Sequence, residues 1–173
     1  MSLDRRNGSL TLDGLELTGL AETFGTPCYV YSADLMIKNY QAFEQAFAEI
    51  NPLICYAVKA NSNLSILSLL ASMGAGFDIV SAGELERVKL AGGLPERSVF
   101  SGVGKTALEI RDALVAGIHC FNVESEAELI ALARIAEELQ LTASVSLRVN
   151  PDVDPKTHPY IATGLKEAKF GQT

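Results

Sequence analysis

Four side chains have the type and setting to do chemistry. Lys59 closes the apolar run Ile54-Cys55-Tyr56-Ala57-Val58-Lys59-Ala60-Asn61, and a lysine there needs a reason, since lysine is almost never fully buried without a partner. A desolvated amine gives up part of its preference for the charged form, and a neutral amine attacks carbonyl carbon to form a Schiff base. The plainer reading makes Lys59 a solubilising charge where a strand leaves the core, and the run alone leaves both open. Asp78 lies between Phe77 and Ile79 in a second apolar run, where an acid must be paired or hydrogen-bonded. Arg148 stands near the end of Ser144-Val145-Ser146-Leu147-Arg148-Val149-Asn150. Glu84 follows Ser81 by three positions, which casts it first as a helix-capping carboxylate.

Other constellations do not carry their usual chemistry. Gly102-Val103-Gly104-Lys105-Thr106 looks like a phosphate loop, but the first anchoring glycine of that pattern falls on Val99. A turn with Thr106 as helix cap is the better reading. Asp152 and Asp154 lie between prolines, without the glycine and closing glutamate of a calcium loop. His119 and His158 belong to no metal-spaced pair, so no metal site is expected. His158, in Thr157-His158-Pro159-Tyr160, is either a binding residue or an exposed loop histidine.

The elements that must position these groups follow a repeating plan. Residues 1–13 are polar and weakly patterned; Leu17, Leu20, Ala21 and Phe24 then recur at helical spacing up to Gly25. Cys28-Tyr29-Val30-Tyr31 reads as a strand, and Ser32 as the cap of a longer helix bearing Leu35, Tyr40, Phe43 and Phe47. After the Lys59 strand come a helix closed by Gly74, the Asp78 strand, and a helix from Ser81 to Gly92-Gly93. Ser98-Val99-Phe100-Ser101, a helix from Thr106 to Gly117, Cys120-Phe121-Asn122-Val123 and a helix from Ser125 complete the pattern. Three helix starts carry Ser/Thr-x-x-Glu, in which the hydroxyl caps the third helical N–H and the glutamate reaches back to the cap residue. Strand and helix alternating at roughly twenty to twenty-five residues mark parallel βα units, since a parallel neighbour needs a long crossover.

In the last strand Val145, Leu147 and Val149 share one face, and Ser144, Ser146 and Arg148 the other. In a barrel the first face meets the helices and the second the interior or its mouth. The expected fold is α/β, about five parallel βα units of a (β/α)8 barrel, a fold that takes about 250 residues when complete. The chain has 173.

Composition excludes several partners. A net charge of −7, from 14 basic and 21 acidic residues without basic clusters, speaks against nucleic acid. No apolar run approaches the roughly 20 residues of a bilayer span, and residues 1–8 lack the apolar core of a signal peptide, so the cytoplasm is the expected compartment. Cys28, Cys55 and Cys120 read as reduced core thiols.

Five blocks then resemble a known family. Tyr56-Ala57-Val58-Lys59-Ala60-Asn61, Gly76-Phe77-Asp78-Ile79-Val80-Ser81, Phe100-Ser101-Gly102-Val103-Gly104-Lys105-Thr106, Phe121-Asn122-Val123-Glu124-Ser125-Glu126 and Leu147-Arg148-Val149-Asn150-Pro151 are similar to successive blocks of the diaminopimelate decarboxylases, fold-type III pyridoxal-phosphate enzymes. Residues 150–164 and Lys169-Phe170-Gly171 resemble that branch more than the ornithine and arginine decarboxylases.

The resemblance implies that Lys59 carries pyridoxal 5'-phosphate on its amine, that Asp78 and Arg148 line the cofactor pocket, and that Glu84 serves near it as well as capping its helix. It implies decarboxylation of meso-diaminopimelate to L-lysine, an amino-acid substrate, and a homodimer whose second subunit completes the site. It also implies that residues 32–173 form a partial alanine-racemase-like barrel and that residues 1–31 contribute to a β-domain. The family's remaining site residues lie beyond the equivalent of Thr173, so the chain is expected to be an N-terminal portion, inactive alone and prone to self-association. A cofactor-binding or regulatory relative without catalysis, or a decarboxylase acting on ornithine or arginine, is the alternative.

Overall fold

Asn7-Gly8 and Asp13-Gly14 take positive φ at both residues, 49° and 87° in the first and 51° and 83° in the second. That is the backbone of a two-residue type I′ hairpin turn, which Asn-Gly and Asp-Gly favour. Around the two turns β1 (Leu3–Arg6), β2 (Ser9–Leu12) and β3 (Leu15–Glu16) pair antiparallel, with Arg6 opposite Ser9 and Leu12 opposite Leu15. The segment read from sequence as weakly patterned is therefore a three-stranded meander, and the turn dipeptides are the signal that reveals it.

In this computed structural model the chain divides into two units, Met1–Pro52 and Leu53–Thr173. Residues 3–153, 156–158 and 171 are described; Asp154 and the parts of the resemblance at residues 155, 159–164 and 169–170 lie outside them. The first unit continues with α1 (Leu17–Phe24), ended by Gly25 at φ 81°, and α2 (Ala33–Ala46). Ser32 Oγ accepts the Leu35 N–H at 3.0 Å, the cap expected from sequence. Residues 28–31 are not the expected strand. No described segment pairs with them, and extended backbone without a neighbour has no ladder to join. Cys28 is accordingly exposed rather than a core thiol.

The second unit alternates β4 (Cys55–Ala57), α3 (Leu64–Ser72), β5 (Gly76–Ile79), α4 (Ala82–Leu90), β6 (Ser98–Phe100), α5 (Ala107–Ala116), β7 (Cys120–Val123), α6 (Glu126–Leu139) and β8 (Val145–Leu147). The strands form one sheet in sequence order, every neighbour parallel. Successive parallel strands joined through helices are the (β/α)8 barrel plan, and the described residues hold five of its strands with the four helices between them. Strand alternation sorts the residues. Phe77, Ile79, Phe100, Phe121 and Val123 point to the helices and are buried, and the Phe100 and Phe121 rings stack with centroids 6.0 Å apart. Gly76 is required on the opposite face, because a Cβ there would collide with the Arg97 carbonyl and the Cys55 thiol.

The three Ser/Thr-x-x-Glu starts share one half of their chemistry and differ in the other. Ser81, Thr106 and Ser125 each accept the N–H of the glutamate three residues on. Only Glu109 returns the bond to its own cap residue, accepting the Thr106 N–H at 3.0 Å. Glu84 accepts instead from Val80 N–H at 2.7 Å, and Glu128 from Glu124 N–H at 3.1 Å, one residue further back. The glutamates thereby fix the strand exits as well as the helix starts. In β8, Val145 and Leu147 on the helix-facing side are exposed.

Candidate active site

The site is assembled where the strands end. Lys59 sits in a single 3₁₀ turn, Val58–Ala60, directly after β4. Val58 is fully buried and anchors the turn, while the Lys59 side chain runs outward, 55% exposed. Its Nζ donates to Asp78 Oδ2 at 3.0 Å. Asp78 stands opposite Ala57 in the β4–β5 ladder, so parallel register brings a carboxylate beside the residue that follows the first strand.

Asp78 is held from its other side. Ser101 Oγ donates to Asp78 Oδ1 at 2.5 Å and accepts from Asn122 Nδ2 at 2.9 Å. Lys59, Asp78, Ser101 and Asn122 thus form a hydrogen-bonded line across the ends of four adjacent strands. With Ser146 and Arg148 they line a concavity of about 420 Å3, within the usual range of small-ligand sites, roughly 300–1,000 Å3. Arg148 Nη1 donates to the buried Glu124 Oε1 at 3.0 Å.

Three of the four residues singled out from sequence, Lys59, Asp78 and Arg148, meet at this concavity. Glu84 does not line it and is bonded to the start of its own helix. His158 is exposed and is not among the lining residues. Ser101 and Asn122 escaped notice, although both fall on the inward side of their strands next to a polar exit, a signal that alternation carries. Ser146 lies on the face expected to look inward.

Lys59 is not the desolvated lysine expected from the apolar run. Lys59 is half open to solvent, and among the described residues the buried lysine is Lys105, whose side chain is 1% exposed. Lys105 Nζ donates to the Gly102 and Asn122 carbonyls at 2.7 and 2.9 Å and to Glu128 Oε1 at 2.7 Å, and it lies 5.6 Å from the centre of the Phe100 ring. The lysine of the phosphate-loop lookalike is buried on the helix side of the sheet, against Phe100, and Thr106 behind it caps α5 as expected. On the inward face, burial pushes the Cys55 thiol up, with the Asp78 charge adding to it, and burial alone raises Cys120.

Parallel βα units that present a lysine, a carboxylate and an arginine around one concavity at the strand ends define a small-molecule enzyme domain of the barrel class. The chain belongs to the pyridoxal-dependent decarboxylases: the family of their pyridoxal binding domain matches residues 33–173. It is 60% identical over 166 residues to diaminopimelate decarboxylase of Pseudomonas aeruginosa, covering 96% of this chain and 40% of that one. The structure of diaminopimelate decarboxylase from M. jannaschii in co-complex with L-lysine matches with a TM-score of 0.89 at 44% identity, over 98% of this chain and 41% of that one. A lysine/ornithine decarboxylase from Vibrio vulnificus, complexed with cadaverine, gives 0.69 at 25% identity over 82% of this chain and 36% of that one. The chain thus spans about 40% of the length of the diaminopimelate decarboxylases it matches.

Pyridoxal phosphate is the cofactor of this family, and the residues fit it. The lining carries an amine just after β4 and a guanidinium just after β8, the two outer strands of the sheet, with a carboxylate, hydroxyls and an amide from the strands between. A carbonyl-bearing anion finds there both a nucleophile and donors. Among the described residues no helix is long and apolar enough to cross a membrane.

Proposed function

We propose that this chain supplies the lysine-bearing part of a pyridoxal-phosphate-dependent decarboxylase that converts meso-diaminopimelate to L-lysine and carbon dioxide. The observation that carries the reading is the Lys59–Asp78 contact at 3.0 Å on the rim of the concavity, joined to the 60% identity with a diaminopimelate decarboxylase. Bound there, the cofactor supplies an aldehyde for an amine and a ring that takes up the electron pair left by departing carbon dioxide. Lys59 is the amine, and Asp78 Oδ2 receives its N–H and directs Nζ along the rim. Ser101 and Asn122 keep Asp78 in that orientation. Arg148 offers planar donors to the anionic groups of cofactor or substrate. Glu84 acts near the site by fixing the β5 exit through Val80 N–H.

In this reading residues 32–173 are the partial alanine-racemase-like barrel, and residues 1–31, with the β1–β3 meander, contribute to a β-domain. In the same reading the protein works in the cytoplasm as a homodimer. The test is reconstitution of the chain with pyridoxal phosphate, borohydride reduction and peptide mapping, with Lys59→Ala as control. One near-stoichiometric adduct at Lys59, absent from the variant, is expected; weak labelling scattered over many lysines overturns the assignment.

A further inference from the structure

Behind the rim lies a second set of charges that the proposed chemistry does not use. Glu124 follows β7 directly, and its side chain is 2% exposed. Its Oε1 accepts from Arg148 Nη1 at 3.0 Å and from Gly102 N–H at 3.2 Å, and its Oε2 from Gly171 N–H at 3.1 Å. A carboxylate with these three donors is held, and what it holds in turn is the one charged side chain among them, Arg148, which is 39% exposed and reaches the concavity.

Glu124 is braced in turn by the buried pair. Glu128 Oε2 accepts the Glu124 backbone N–H, while its Oε1 takes a bond from Lys105. Lys105 also fixes the carbonyl of Gly102, the residue whose N–H points at Glu124. Two opposite-charge pairs therefore stand back to back, Lys105 with Glu128 and Glu124 with Arg148, joined through the Glu124 backbone N–H, and the second pair reaches the rim. Long arginine side chains lose considerable rotamer freedom when ordered, so a guanidinium that must meet a ligand gains from being held beforehand.

We propose that Glu124 is the positioning residue of this site: it fixes the Arg148 guanidinium at the mouth of the Lys59 concavity before pyridoxal phosphate arrives, with the Lys105–Glu128 pair as its backing. The uptake part of this inference rests on the functional reading above; the fixing of Arg148 does not. Two measurements on the whole chain separate them. The first follows the Arg148 guanidinium 1H–15N signals by nuclear magnetic resonance without ligand. Restricted rotation is expected in the native chain and is lost in Glu124→Gln.

The second is a double-mutant cycle on pyridoxal phosphate affinity, read by absorbance, with Glu124→Gln, Arg148→Gln and the pair together. Each single change is expected to weaken uptake by about tenfold, the scale of one charge-assisted hydrogen bond, and the double variant no more than Arg148→Gln alone. Glu124→Asp retains the charge and draws the carboxylate back by one methylene; it guards against misfolding of the amide variant and is expected to weaken uptake too. Losses that multiply in the double variant, or Arg148 signals unchanged by both Glu124 substitutions, overturn the proposal. A native chain that takes up no cofactor sinks the functional reading, and the guanidinium signals still decide whether Glu124 holds Arg148.

Discussion

Lys59 and Lys105 follow neighbouring parts of one sheet, and each pairs with a carboxylate from the next unit along, yet their surroundings are opposite. Lys105 gives its donors to two carbonyls and Glu128, out of contact with water. Lys59 gives one bond to Asp78 and keeps over half its surface in solvent. A saturated, enclosed ammonium has neither a free position nor a path for a reactant, and it serves to hold two loops together. An open one can change partners. Chemical availability is therefore decided by donors left over and by access, and lysine in an apolar run is a poor guide to either.

The contrast breaks most visibly through Lys105→Met. Removing one partner of a buried pair leaves Glu128 uncompensated and costs about 3–5 kcal/mol, read as a fall in the urea midpoint of the second unit. Lys59→Ala, in the exposed pair, is expected to change that midpoint by less than about 1 kcal/mol while abolishing the reduced cofactor adduct. Equal stability losses for the two substitutions would erase the distinction drawn between them.

The helix starts sharpen the comparison at a smaller scale. Ser125 begins the helix that carries Glu128, and Ser81 the helix after the Asp78 strand. Replacing either with alanine is expected to cost about 1 kcal/mol, but only Ser125→Ala should also loosen the Arg148 signals, since it frees the turn that presents Glu124. Chemical denaturation and nuclear magnetic resonance on the two variants separate these effects.

A third carboxylate, Glu109, bridges two helix starts, accepting from Thr106 N–H and from Ala82 N–H. Hydrogen bonds from those two backbone amides, Thr106 first, hold its pKa below the ordinary carboxylate value. A depressed folded-state pKa adds stability that is present above the unfolded value and lost as pH falls through the folded one. The melting temperatures of native and Glu109→Gln chains are therefore expected to differ at neutral pH and to converge in acid, below the usual glutamate range.

The smallest effect concerns the thiols. Exposed Cys28 is expected to react first with a disulfide reagent at pH 8, with Cys55 and Cys120 slower because their raised pKa values suppress the thiolate. Faster modification of Cys55 than of Cys28 would contradict the partial burial of Cys55 on the inward face.

Much of the fold was legible in the chain. The alternation of Val145, Ser146, Leu147 and Arg148 placed the last two polar side chains inward, and the hydroxyls of Ser81, Thr106 and Ser125 marked three helix starts that the structure contains. The antiparallel meander was legible too, from Asn7-Gly8 and Asp13-Gly14, but its short strands hid behind polar composition. Residues 28–31 misled because β-branched and aromatic residues describe a surface that suits a sheet, without saying that a neighbour is present.

In the second unit sequence alone determined the order of strands and helices, the two faces of β8 and the Ser/Thr helix caps, because these depend on bonds and periodicities within a few residues. The tertiary structure alone decided that Lys105 is enclosed and Lys59 open, that Ser101 and Asn122 orient Asp78, and that Glu124 grips Arg148 from 24 residues away. Those pairings join the ends of different strands. Their distances are set by parallel register and by how much of each loop the neighbouring helices cover, and neither quantity is written in any short stretch of the chain.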